Sequence, residues 1–163
     1  MTNIQKESDL LRNVPMFAKM DSSKLKLLAF TSQSLSFDDG EVLFEAGDPA
    51  DSVYVIMNGE VEILADTGEA QFVAGTLGRN QLFGELAVLT QAPRSATLRA
   101  KGDLVALRIS DDIFLKLLAE NPEVALDVMR QLSEKLMLSH HQFEELKGRL
   151  QKLEASSPEA PAG

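Results

Sequence analysis

One stretch of the chain gathers residue types suited to chemistry: Gln81 to Thr97, reading QLFGELAVLTQAPRSAT. It breaks the alternation of apolar and polar residues around it with roughly one helical turn, opened by Gly84. A helix start presents unpaired N–H groups and the positive end of its dipole, which together attract an anion. Gly84 lets the backbone approach a ligand closely, because no Cβ stands in the way. Arg94 is the natural counter-charge, since its planar fork binds a phosphate through two hydrogen bonds. Glu85 is unsuited to a phosphate, but a carboxylate accepts well from a sugar hydroxyl. Taken singly, Arg94 is an ordinary solvated arginine at a strand end, and Glu85 an acid favoured by the helix dipole. Their combination is what points to a ligand.

Other chemistries find few residues to work with. There is no cysteine, so no disulfide framework, thiolate metal site or cysteine nucleophile. The two histidines are adjacent, His140 and His141, and neighbours at i,i+1 on a helix do not face a common metal. A metal-dependent β-barrel enzyme would need histidines and carboxylates on its strands. No Ser–His or paired-carboxylate arrangement stands out. The sequence therefore assigns no catalytic residue and no metal site, and the chain reads as a binding protein rather than an enzyme.

The elements that must position Gly84, Glu85 and Arg94 follow from the hydrophobic period. Ser8 to Phe17 suggests a short docked helix stopped by Pro15, and Asp21-Ser22-Ser23 caps a second helix through Leu25, Leu28 and Phe30. From Leu35 the period becomes two. Val53–Met57 and Val61–Ala65 alternate, and Asn58-Gly59 between them is a strong hairpin signal. Asp66-Thr67-Gly68 is another turn, and Phe72 to Leu77 resumes as strand. Ala96–Ala100 and Leu104–Ile109 are strand-like, split by a Lys101-Gly102-Asp103 turn. Seven or eight short strands with regular turns imply an all-β sandwich or barrel. Ser110-Asp111-Asp112 caps a further helix, and Asn121-Pro122 opens a long one running to about Glu154. Residues 155–163, ASSPEAPAG, are polar and Pro-rich and are expected to be disordered.

The chain of 163 residues is 44% hydrophobic and 25% charged, which suits one ordinary globular domain. Its 25 acids against 16 bases leave a net charge of −9, the wrong sign for a protein that must neutralise phosphates along a nucleic acid. The apolar runs fall short of the ~18 residues that suggest a membrane span. No charged-then-apolar leader opens the sequence, so the expected compartment is the cytoplasm.

FGELA, a short gap, then PRSAT resembles the phosphate-binding cassette of cyclic nucleotide-binding domains. These occur in bacterial catabolite activator proteins, in regulatory subunits of cyclic-nucleotide-dependent kinases and in cyclic-nucleotide-gated channels. Phe37 to Ile63, FDDGEVLFEAGDPADSVYVIMNGEVEI, is similar to the first strands and glycine turns of the same domain, and the likeness extends from about Leu10 to Met137. It implies a mainly β fold with flanking helices: an eight-stranded antiparallel β-roll or jelly-roll barrel, with N-terminal helices, a short cassette helix and a long C-terminal helix. The corresponding divisions are a helical segment at 1–34, a β-roll at 35–109 with its cassette at 82–97, a hinge and long helix at 110–154, and the tail.

The resemblance also implies roles. Glu85 would hold the ribose 2′-hydroxyl, and the Gly84 and Ala87 region would supply backbone donors. Arg94 would pair with the cyclic phosphate, with the Ser95 hydroxyl and Ala96 amide completing the cradle. Leu86, with Leu77 and Leu82, would pack near sugar and base, and Phe83 and Pro93 complete the ligand-binding set. No cassette position carries an incompatible residue, so the site reads as competent. Cyclic-GMP-dependent kinases resemble this cassette with threonine where Ser95 stands, and cyclic-AMP-responsive bacterial activators have serine there. The implied ligand is cAMP, with cGMP also accommodated, and no further cofactor.

Beyond the cassette, Met129, Leu132, Leu136, Ser139, Phe143, Leu146, Leu150 and Leu153 alternate spacings of three and four. That is the a/d pattern of a coiled coil, and it implies a homodimer through residues 129–153; a helix folded back on its own barrel is the plainer alternative. The helix-turn-helix, second binding domain or membrane spans of the family's longer members are missing from this sequence. The chain thus reads as a lone sensor relaying binding through its C-terminal helices to an unknown protein partner. Its Met1 start and Ala-Pro end suggest a complete small protein. The competing reading is a structural dimerisation module with a vestigial pocket.

Overall fold

The computed structural model describes residues 3–66 and 68–156. The chain divides into two compact units, Met1–Ala125 and Leu126–Gly163. The first opens with helix α1 (Asn3–Leu11), a 3₁₀ turn at Pro15–Phe17 and helix α2 (Ser22–Thr31). Pro15 does not end a helix, as its position suggested, but begins the 3₁₀ turn, where its missing N–H costs nothing. Leu11, Val14, Phe17, Leu25 and Leu28 are buried, which anchors these short elements.

Six strands follow among the described residues: β1 (Gln33–Phe37), β2 (Val42–Phe44), β3 (Ser52–Asp66), β4 (Gln71–Leu77), β5 (Leu82–Phe83) and β6 (Thr97–Ser110), with helix α3 (Glu85–Thr90) between β5 and β6. All pairings are antiparallel, in the order β1-β6-β3-β4, with β2 on β6 and β5 on β3. The strand count is six rather than eight because two expected hairpin turns are not turns. Asn58-Gly59 lies inside β3, and Lys101-Gly102-Asp103 lies inside β6. The two long strands pair from Ser52↔Ser110 to Leu64↔Thr97, and the register slips where these segments meet: Asn58 faces Val105, but Glu60 faces Lys101. Such a bulge bends a strand without ending it. Gly59 has φ +100°, and a Cβ on it would collide with the Asp103 carbonyl oxygen, so only glycine fits the bend.

Tyr54, Ile56, Val61, Phe83, Leu98, Ala100, Leu104 and Ala106 form a buried cluster drawn from β3, β5 and β6. β3 is buried at every residue from Ser52 to Met57, on both faces, as a strand covered on two sides must be. After β6, Ser110 caps helix α4 (Asp111–Glu120), its Oγ accepting from the Ile113 amide at 3.4 Å. Helix α4 contacts β3 and β6 and buries Phe114 and Leu117.

Helix α5 (Pro122–Ser156) runs into the second unit. It continues two residues beyond the Glu154 end expected for it, and the rest of the expected tail, 157–163, lies outside the described residues, as does Thr67 of the β3–β4 turn. Of the periodic apolar positions, Met129, Leu136, Phe143, Leu146, Leu150 and Leu153 are exposed. No helix among the described residues is long and apolar enough to cross a membrane.

Candidate functional site

The cassette connects β5 to β6. Phe83 ends β5 inside the buried cluster, stacked on Tyr54 with ring centroids 5.2 Å apart and planes within 6°. Gly84 then turns the chain at φ +86°, ψ 0°, a left-handed conformation that suits glycine, and α3 begins at Glu85. Helix α3 closes at Gln91, also left-handed, whose amide reaches the Val88 carbonyl at 3.3 Å, and the Ala92 amide reaches Ala87 at 3.0 Å.

Arg94 is fixed first through its backbone. Its amide donates to the Asp48 carbonyl at 2.8 Å, and its carbonyl accepts from the Gly47 amide at 2.8 Å. The β2–β3 loop therefore holds Arg94 as a strand partner would. The Thr97 hydroxyl reinforces this by accepting from the Ala46 amide at 3.0 Å.

The Arg94 side chain turns inward and is only 4% exposed. Its Nη1 donates to the Gly84 carbonyl at 3.0 Å and its Nη2 to the Ser52 carbonyl at 2.6 Å. The guanidinium carbon sits 4.1 Å from the centre of the Phe44 ring, a cation–π contact. No carboxylate among the described residues lies within ion-pair distance, and the buried Nε has no hydrogen-bond partner. Burial pushes the Arg94 pKa down from its usual range by desolvating the charge, with Tyr54, Asp51 and Asp48 opposing that and Arg108 adding to it. A buried charge whose protein partners are neutral acceptors leaves room for an anion.

Arg94 opens onto a cavity of about 310 Å³ lined also by Leu43, Phe44, Asp48, Pro49, Asp51, Tyr54 and Arg108. Of these, the sequence reading singled out Arg94 alone. Phe44 and Ser52, which touch its guanidinium, lie 50 and 42 positions earlier in the chain. The only local hint of them was that a polar Ser52 opens an otherwise apolar run.

Among the expected ligand residues, Gly84 and Arg94 are brought into contact, and Glu85 is buried beside them in sequence at 3% exposure. Leu82 and Phe83 are buried, and Leu77 and Ala96 pack against the cluster that includes Phe83. Ala87 is buried on α3, whereas Leu86, Pro93 and Ser95 are exposed. His140 and His141 lie on α5, and no group of three potential metal ligands forms among the described residues.

Comparison with known proteins agrees with this architecture. The family model described as "Cyclic nucleotide-binding domain" matches residues 34–121, more than half of the chain. The chain is 38% identical over 103 residues to a cAMP-dependent protein kinase type II regulatory subunit of Drosophila melanogaster, covering 63% of this chain and 27% of that protein. It thus spans about a quarter of that relative's length. The sensor domain of the transcriptional regulator DNR from Pseudomonas aeruginosa superposes with a TM-score of 0.75 at 25% identity, covering 89% of this chain and 96% of that one. The regulatory domain of Toxoplasma gondii PKA, solved with cAMP, shares the fold with a TM-score of 0.72 at 21% identity, covering 80% and 50%. With the cassette, the bent β3–β6 pair and the family match in agreement, the chain belongs to the cyclic nucleotide-binding domain family.

Proposed function

We propose that the chain is a cytoplasmic, non-enzymatic sensor that binds cAMP, accommodates cGMP less tightly, and relays occupancy through its C-terminal helices. The observation that carries this is Arg94: a buried guanidinium held by two backbone carbonyls and one aromatic face, with an unpartnered Nε and no carboxylate in ion-pair reach among the described residues. A cyclic phosphate supplies the missing charge, and two forked hydrogen bonds to an anion are stronger than those to neutral acceptors. Glu85, which opens α3 next to the Gly84 carbonyl that Arg94 holds, is the acceptor for the ribose 2′-hydroxyl. The relatives named for cAMP favour that ligand.

The output is a change at the α4–α5 segment, transmitted to a second copy of the chain through residues 129–153 and from there to a protein partner. The exposed apolar periodicity of α5 supports the dimer. A thermal melt against rising cAMP tests the binding function. A sensor gains about 2.7 kcal/mol of stability at ligand one hundred-fold above its Kd. A dimerisation module with a vestigial pocket gains none.

A further inference from the structure

Strand β4 ends the sheet order β1-β6-β3-β4 and pairs with β3 alone. Its outer edge therefore presents backbone donors and acceptors that no other described strand takes up. Soluble proteins usually blunt such an edge with charges or proline, and QFVAGTL has neither. The strand is also bare on both faces. Phe72 is 49% exposed and Val73 46%, and consecutive residues of a strand point to opposite sides. The register of β4 on β3 slips at its middle. Gly75 faces Ile63 and Val73 faces Leu64, so Ala74 has no partner on β3 and the strand bends there.

The residues around Ala74 complement their own reverse. An antiparallel pairing of two copies centred on Ala74 sets Phe72 beside Thr76 and Val73 beside Gly75, so each exposed apolar side chain meets a smaller one. The same pairing sets Glu69 beside Arg79, twice over by symmetry. Both are exposed, and neither has an ion-pair partner among the described residues. Shifting the register by one or two residues either way sets both against uncharged residues. We propose that β4 is a self-association edge, to which a second copy of the chain adds its own β4, antiparallel and centred on Ala74. The bends of the two strands then meet on the two-fold axis, and the ladder runs along the arms 71–73 and 75–77. A seven-residue edge offers far less than the roughly 800 Å² per partner of a stable interface, so the contact is weak and does not set the sedimenting species. It depends neither on α5 nor on a nucleotide.

The chain has no cysteine, so engineered thiols report the pairing without background. In the full chain carrying A74C, paired strands place the two thiols opposite each other, with Cα atoms about 4.5–5.5 Å apart and within disulfide reach. Thr76 is equally exposed but faces Phe72 of the other copy, so the thiols of T76C stand apart. In a glutathione redox buffer, A74C is expected to form linked pairs at least about ten-fold faster than T76C. Adding E69R or R79E to A74C is expected to slow linkage about five-fold, because each sets like charges side by side. E69R and R79E together are expected to restore the rate to within about two-fold. Net charge alone gives another pattern, since E69R makes this acidic chain less negative and so speeds its collisions. Equal linkage of A74C and T76C would overturn the proposal. So would an E69R that links as fast as its parent or faster, or a double reversal that stays slow.

Discussion

The Gly84 carbonyl accepts from Arg94 Nη1 at 3.0 Å, and a Cβ placed on Gly84 would stand 2.7 Å from that same nitrogen. The glycine is thus both a partner of the arginine and the empty space it occupies. Gly84→Ala must push the guanidinium away from its carbonyls and also place a side chain at φ +86°, at a cost of about 1–2 kcal/mol. We expect cAMP binding to fall more than ten-fold, with a lowered melting temperature. Calorimetry and a thermal melt on the same sample check both.

Arg94 links binding to stability with opposite signs. A base whose folded pKa lies below its unfolded value costs stability at every pH beneath the folded pKa, and the cost is relieved only as pH rises through it. At neutral pH the charge is therefore a burden on the empty protein. An unpaired buried charge costs several kcal/mol, and two stranded carbonyls cost about 1–3 kcal/mol each, so Arg94→Met nearly cancels. The ligand-free variant should unfold within about 1 kcal/mol of wild type, and cAMP should no longer raise its melting temperature. Arg94→Ala should weaken binding by about ten- to a hundred-fold or more. A melt series with and without cAMP decides.

Much of this arrangement could be read in the sequence because it is local. Gly84, Glu85, Arg94 and Ser95 fall within twelve residues, so their spacing carries the cassette without any knowledge of the fold. The residues that hold the guanidinium could not be found that way. Phe44 and Ser52 reach it only because the β2–β3 loop pairs with the Arg94 backbone, a contact spanning more than forty residues. The hairpin at Asn58-Gly59 failed for a related reason. A glycine with positive φ serves a tight turn and a bulge equally well, and what decides is the partner strand, here Gly102-Asp103 on β6.

Glu85 is the expected reader of the ribose. A hydrogen bond to a charged group contributes about 1.5–3 kcal/mol, equivalent to roughly ten- to a hundred-fold in affinity. Wild type should therefore prefer cAMP over 2′-deoxy-cAMP by at least about ten-fold, and Glu85→Ala should bind the two alike. Competition binding with both nucleotides checks this, and a preference that survives the substitution would place the ribose elsewhere.

The exposed stripe on α5 predicts assembly. Sedimentation of the intact chain should give a dimer. A chain ending at Ser139 loses Phe143, Leu146, Leu150 and Leu153 from the stripe and should sediment as a monomer that still binds cAMP. A monomeric intact chain, with and without ligand, would remove the dimer from the account.

Side-by-side calorimetric titration with cAMP and cGMP decides whether Arg94 and the cassette form a working cyclic nucleotide site. One site per chain is expected for both nucleotides, with cAMP the tighter, because the exposed Ser95 suits the phosphate and no other cassette residue reads the guanine edge. Ser95→Ala should then weaken both ligands alike. No heat of binding with either nucleotide, or cGMP binding ten-fold or more tightly than cAMP, would contradict it.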